Sequence, residues 1–309
     1  MRLRRLLLAV ILVTLGSSAW AQPSATIRFA ERDTCALYMD MYMPAEPVSS
    51  SKPAVLFVFG GGFVGGERSN PYYMPWFELL NAEGYPVVTI DYRLGLKGKR
   101  MRFDLFHLMQ SARYTKAAVE MGVEDLFSAV RYLSDHPELG IPVDNLVLAG
   151  SSAGAMISLS AEWEICNGSP RTAILPEGFN FVGVMSFAGA IMSSSGKPSY
   201  KRAPCPQLLL HGTADGAVEY DKTALFGWGL YGSSALAKIY AREGYVYNIY
   251  RFKDHNHDIA SCFTPTWPEQ QRFLEENVIV RTGRVIDALV DDPSLPVFHS
   301  AATLDSLYK

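Results

Sequence analysis

Residues 150–154 read Gly-Ser-Ser-Ala-Gly, which fits G-x-S-x-G with Ser152 at the centre. The motif follows the apolar run L-V-L-A and precedes A-M-I-S-L, the context of a buried strand turning into a helix. A serine hydroxyl is a weak nucleophile unless an adjacent base takes its proton. In a sharp strand-to-helix turn, glycines two residues to either side relieve crowding and lift the hydroxyl above the sheet edge. The same turn aims the next backbone N–H, that of Ala153, at the reacting oxygen. Ser151 has no such glycine frame, so the chemistry expected here is acyl transfer on Ser152.

Three further segments could complete that chemistry. Phe59-Gly60-Gly61-Gly62-Phe63 follows a buried apolar run. Consecutive glycines bare backbone N–H groups that can stabilise an oxyanion, which often contributes most to the acceleration of acyl transfer. Gly61 and Gly62 are the expected donors, together with Ala153. His211-Gly212-Thr213-Ala214-Asp215 closes another strand. Asp215 is expected to orient a histidine from a later loop, and His211 to be a structural residue at the strand end. Lys253-Asp254-His255-Asn256-His257-Asp258 supplies the histidine that a serine nucleophile needs. Its H-x-H spacing flanked by acids would also suit a metal, but no third ligand cluster accompanies it, so no metal is expected. Spacing alone leaves His255 and His257 both open as the base, because residues two apart can point the same way in an extended loop. Asn256 and its polar neighbours can form the turn that swings the later histidine back over the sheet edge.

With these pieces in the chain order Ser, Asp, His, the sequence resembles an exported esterase or lipase of the α/β-hydrolase superfamily. It is similar to bacterial esterases with an H-G-G-G-type oxyanion loop, D-Y-R after the next strand, G-x-S-x-G, H-G-x-x-D and a late histidine. The matching pieces run from about Leu37 to Glu275. In the resembling esterases the catalytic histidine lies five residues past a strand-end aromatic and precedes an acid–aliphatic–Ala run. Phe252 to His257, followed by Asp258-Ile259-Ala260, fits that register, so the resemblance implies His257 as base. His255 is then expected on the outer side of the loop, with Asp254 as its surface partner. The resemblance implies ester hydrolysis through an acyl-enzyme on a Ser152–His257–Asp215 triad, with no cofactor. One departure is Phe59, where the family carries a histidine that shapes the loop, so the loop's supporting hydrogen bonds must differ. Asp91 and Arg93 of D-Y-R resemble structural residues. The implied substrate is a small-molecule or carbohydrate ester. Aromatic residues expected near the mouth are Phe63, Tyr72, Tyr73, Trp76, Tyr220, Phe226, Trp228 and Tyr231. A serine peptidase of the same fold is the alternative enzyme reading, although such chains usually carry an extra propeller segment. Intact Ser152, Asp215 and His257 argue against a hydrolase-fold binding protein without catalysis.

The elements that must position these residues are legible as alternating strands and helices. Apolar runs predict strands over Ala54–Phe59, Tyr85–Ile90, Asn145–Ala149, Phe181–Phe187, Gln207–His211 and Tyr247–Phe252, and alternation predicts one over Thr34–Met43. Helical spacing predicts helices over Pro71–Glu83, Ala117–Asp135, Ser233–Glu243 and after Pro265. This order implies an α/β fold with a mostly parallel central sheet, helices on both faces and a small cap from insertions. Gly95–Tyr114 is irregular and reads as a cap or long surface loop, and the tail from Val278 as a helix with an irregular end.

The 309 residues carry a net charge of −3, and no basic stripe suits nucleic acid. At the start, M-R-L-R-R, an apolar run from Leu6 to Leu15 and Ala19-Trp20-Ala21 follow the order of a secretory signal peptide. The run is short for a membrane span, so no stable anchor is expected. Residues 22–309 are expected to form one exported domain. An exported compartment permits disulfides, and Cys35, Cys166, Cys205 and Cys262 allow three pairings.

Overall fold

The computed structural model describes residues 22–33, 35–46, 51–102, 104, 107–292 and 294–295. The expected leader, residues 1–21, lies outside the described residues. The chain begins with an antiparallel hairpin of β1 (Ala25–Arg32) and β2 (Cys35–Tyr42). There follow β3 (Ala54–Val58), α1 (Met74–Ala82), β4 (Val87–Ile90), α2 (Leu108–Asp135), β5 (Leu146–Ser151) and α3 (Ala153–Asn167). The second half adds β6 (Gly183–Phe187), β7 (Ala190–Ser193), β8 (Gln207–Gly212), β9 (Lys222–Leu225) and β10 (Trp228–Gly232). It closes with α4 (Ser233–Glu243), β11 (Tyr247–Phe252), α5 (Trp267–Phe273) and β12 (Ile286–Val290).

Nine strands make the main sheet in the order β1-β2-β4-β3-β5-β6-β8-β11-β12. Pairing is parallel from β4 to β12 and antiparallel only at the β1-β2-β4 edge. Every residue of β3, β4, β5, β6 and β8 is buried. Helices on both faces leave such strands no solvent side, which is why they read as unbroken apolar runs. On one face α2 packs against α3. On the other, α1 meets α5, where the Trp76 indole N–H donates to Gln270 Oε1 at 2.8 Å. Trp76 sits there among Phe57, Phe187 and Phe263, all fully buried. Burial of each such side chain contributes about 1.5–3 kcal/mol.

Several expectations need correction. The helix predicted from Ala117 begins at Leu108. Its first turns bury little, Ser111 apart, so they lack the apolar spacing that marks the rest. The cap is therefore these turns together with a separate three-stranded antiparallel sheet, β7-β10-β9. Over the described residues, the tail from Val278 does not continue as a helix. After a π-helical turn over Leu274–Ile279 the chain returns as β12, parallel to β11 at the sheet edge. The Arg251 guanidinium clamps both Asp287 carboxylate oxygens across that pair, at 2.7 and 2.8 Å. The pairings open to the cysteines are not made: Cys166, Cys205 and Cys262 are buried thiols, and Cys35 is exposed. Burial pushes the Cys262 thiol up to about 12, and its S–H donates to the Asp258 carbonyl.

Candidate active site

Ser152 stands between the last residue of β5 and the first of α3, with φ +51 and ψ −115. This region costs a non-glycine residue about 1–3 kcal/mol and persists only where its surroundings enforce it. Here the Ser152 N–H donates to the Phe187 carbonyl at 2.9 Å, and its own carbonyl accepts from Met156 N at 2.9 Å. The flanking glycines are required by contact. A Cβ on Gly150 would lie 2.3 Å from the Gly154 carbonyl, and one on Gly154 would lie 2.0 Å from the Val58 carbonyl. The Ser151 hydroxyl is committed elsewhere, donating to the Ala260 carbonyl at 2.7 Å.

The Ser152 Oγ lies 2.8 Å from His257 Nε2, and His257 Nδ1 lies 2.7 Å from Asp215 Oδ2. The carboxylate can only accept, so Nδ1 carries the proton and the bare Nε2 accepts from the serine hydroxyl. The Asp215 side chain is fully buried, and its other oxygen accepts from the N–H groups of Ala217 and Val218 at 2.8 and 2.9 Å. Burial works against its charge, but hydrogen bonds from His211 and His257 outweigh burial and hold it well below the usual carboxylate range.

The loops that carry Asp215 and His257 are stapled together. The Asn256 side-chain oxygen accepts from Gly216 N and His257 N, at 3.0 and 2.8 Å. Gly212 lets the base loop cross, since a Cβ there would lie 2.3 Å from the carbonyls of His255 and Asn256. His255 does not sit on the outer side of this loop, and Asp254 is not its partner. Asp254 takes φ +61 and reverses the chain. His255 is turned inward, 3% exposed, with Nδ1 2.6 Å from Asp258 Oδ2.

The glycine loop approaches from β3. A Cβ on Gly60 would lie 3.3 Å from the Ser152 Cβ, which seats the loop against the elbow. Gly61 and Gly62 take φ +128 and +61. Gly62 and Ala153 line a cavity beside Ser152, whereas Gly61 is exposed and is not part of its lining. In place of a histidine, the Phe59 ring packs on Tyr92, with centroids 4.5 Å apart, and the Tyr92 hydroxyl donates to the Phe59 carbonyl at 3.1 Å. Asp91 and Arg93 bind elsewhere, Asp91 to Arg68 and Arg93 to the buried Asp125.

The cavity measures about 270 Å³ and holds Ser152, Asp215 and Phe63 among its lining. Its walls are mostly aliphatic and thioether, with Leu108, Met109, Ala112, Met156, Met192, Leu225 and Leu230, and Trp228. Most of the aromatics expected at the mouth are elsewhere. Trp76 is core, Tyr73 and Tyr231 are buried, and Tyr220 packs on the His211 ring. The Tyr72 hydroxyl donates to the Ser261 carbonyl, and Phe226 projects from the tip of the β9–β10 hairpin. A larger groove of about 890 Å³ opens where the chain enters β5, β6, β8 and β11, and neither Ser152, Asp215, His257 nor the glycine loop lines it. The smaller cavity is the candidate site, because open α/β sheets bind ligands beyond the carboxyl ends of their strands.

The carboxylesterase family matches residues 18–178, just over half of the chain and the part that holds the glycine loop and Ser152. The fumonisin B1 esterase of Sphingopyxis macrogoltabida is 28% identical over 120 residues, which is 38% of this chain and 21% of that protein. The juvenile hormone esterase of Tribolium castaneum is 28% identical over 120 residues, 38% of this chain and 18% of that protein. The alignments thus span about a fifth of the length of these relatives. Among solved structures, a propionate-bound esterase of Thermogutta terrifontis superposes with a TM-score of 0.57 at 21% identity, covering 82% of this chain and 93% of that one. At that identity the likeness speaks to the fold.

Proposed function

The chain belongs to the carboxylesterase family, and we propose that it hydrolyses carboxylic esters through Ser152, His257 and Asp215. The observation that carries this reading is the unbroken chain of hydrogen bonds from Ser152 Oγ through His257 to a buried carboxylate. Ser152 Oγ attacks the ester carbonyl while His257 Nε2 takes its proton. Asp215 holds the imidazole in the Nδ1–H tautomer and stabilises the imidazolium that forms. N–H groups of Ala153 and the glycine loop face the developing oxyanion. His257 then protonates the leaving alcohol, and water repeats the cycle on the acyl-enzyme.

The small aliphatic cavity supports a short acyl group. At about 270 Å³ it falls below the range typical of sites for drug-sized ligands. Its wall offers few flat aromatic platforms on which sugars stack, which favours small-molecule esters over acylated polysaccharides. The propionate bound by the Thermogutta terrifontis esterase is of the acyl size proposed here.

The test separates the two neighbouring serines. A fluorophosphonate probe is expected to label the wild type and Ser151→Ala and to leave Ser152→Ala unlabelled. Ser152→Ala is expected to lose about 10⁴–10⁶-fold in kcat on p-nitrophenyl butyrate. Labelling of Ser152→Ala at Ser151, or unchanged turnover, would overturn the assignment.

A further inference from the structure

His211 is assigned no chemistry in the mechanism above, yet it is the only other side chain that donates to the Asp215 carboxylate among the described residues. It is the penultimate residue of β8, is fully buried, and its Nε2 lies 3.1 Å from Asp215 Oδ2, the oxygen that His257 uses. The same nitrogen lies 3.2 Å from the Val218 carbonyl. On the far side of the ring, Nδ1 lies 2.8 Å from the Ser233 hydroxyl at the start of α4.

These contacts decide the tautomer. Nε2 faces two groups that only accept, a carboxylate and a carbonyl, so it carries the proton. Nδ1 is then bare and accepts from the Ser233 hydroxyl, which can rotate to donate. The Asp215 carboxylate thereby accepts four hydrogen bonds: Ala217 N and Val218 N on Oδ1, His257 Nδ1 and His211 Nε2 on Oδ2. That fills about all the acceptor positions a carboxylate has.

We propose that His211 is a positioning residue for the base: its Nε2–H, oriented by Ser233, holds the Asp215 oxygen on which His257 depends. The proposal rests on the triad reading and extends it to a second imidazole. His211 has two effects. It stops Asp215 from rotating toward a geometry that serves His257 poorly. It also shares the carboxylate's charge, so that Asp215 holds the His257 proton less tightly. Other groups around the pair are already committed. Tyr220 lies edge-on to the His211 ring at 5.5 Å, and its hydroxyl accepts from Arg251 at 2.7 Å. On the base loop His255 is paired with Asp258. At the cavity rim, Glu219 accepts from Asp221 N and the Thr223 hydroxyl.

The sign of the pH effect follows. Without the His211 donor the carboxylate charge is less shared and favours the His257 imidazolium. The base is then protonated up to a higher pH, and the acid limb of kcat/KM moves up. His211→Leu is expected to lower kcat about 10–100-fold with KM little changed, the cost of a misplaced catalytic group. Its acid limb is expected to rise by about 0.5–1 pH unit. His211→Gln, which keeps an N–H at the Nε2 position, is expected to recover most of both. Ser233→Ala is expected to shift the limb the same way by less, and it tests the proposal if His211→Leu does not fold. In ¹⁵N-histidine spectra of the wild type, His211 is expected as the Nε2–H tautomer. An Nδ1–H tautomer, or an acid limb unmoved in the folded variants, overturns the proposal. A wild type that neither turns over p-nitrophenyl butyrate nor takes a fluorophosphonate overturns the esterase reading instead, and the spectrum still decides His211.

Discussion

His255 and His257 stand two residues apart and serve different carboxylates. His257 reaches Asp215 across 42 residues, whereas His255 pairs with Asp258 inside its own loop. The side chains of His255 and Asp258 are 4% and 2% exposed, and Asp258 Oδ1 has no hydrogen-bond partner. Removing the histidine would strand a buried acid, at a cost of about 3–5 kcal/mol. His255→Ala is therefore expected to fall in urea stability by about that amount, while the folded fraction keeps turnover within about tenfold of wild type. The double variant His255→Ala/Asp258→Ala is expected to regain part of the loss, because it leaves no stranded charge. His257→Ala is expected to keep its stability and lose nearly all turnover. A stable, inactive His255→Ala would give His255 the chemical role. The expectation of His257 rests on the register after Phe252 that the resembling esterases carry, since spacing alone leaves His255 open. The inward turn of His255 is not, because it depends on the left-handed Asp254, a conformation that residue type alone does not announce.

Among the elements, the β9–β10 hairpin carries the least expected local choice. Leu225 pairs with Trp228, so Phe226 and Gly227 form a two-residue turn, with φ +50 and +80. Turns with positive φ at both positions favour Asn-Gly. A phenylalanine that is 85% exposed gains little from packing there. Phe226→Asn is expected to raise stability by about 1 kcal/mol, the strain of a bulky residue in that region. Urea midpoints of the two proteins check it, and an unchanged or lower midpoint would show that the ring contributes more than the turn loses. This hairpin is invisible in the sequence for a physical reason. All four residues of β9 are exposed, and β10 contains two glycines, so neither strand carries an apolar rhythm. The strands that position the site are legible because they are buried on both sides. β1 escapes the sequence reading although Ile27 and Phe29 alternate with Thr26 and Arg28. In β12 the exposed Leu289 blurs the alternation of Ile286, Ala288 and Val290.

At the scale of the whole molecule, the proposed site exists only where four separate strand ends meet. The glycine loop leaves β3, Ser152 leaves β5, Asp215 follows β8 and His257 follows β11. The contact between Ser152 and His257 closes a loop of 105 residues. No single hairpin or helix pair holds a working subset. Reactivity of Ser152 is therefore a reporter of folding as well as of catalysis. In a urea series, fluorophosphonate labelling is expected to vanish with the same midpoint as far-UV circular dichroism if the domain unfolds as one unit. Loss of labelling at lower urea would mean that the β8–β11–β12 side opens before the rest. During refolding the probe would mark the moment at which the ends of β5, β8 and β11 first come together with β6 between β5 and β8, so covalent capture of Ser152 would time the assembly of that half of the sheet.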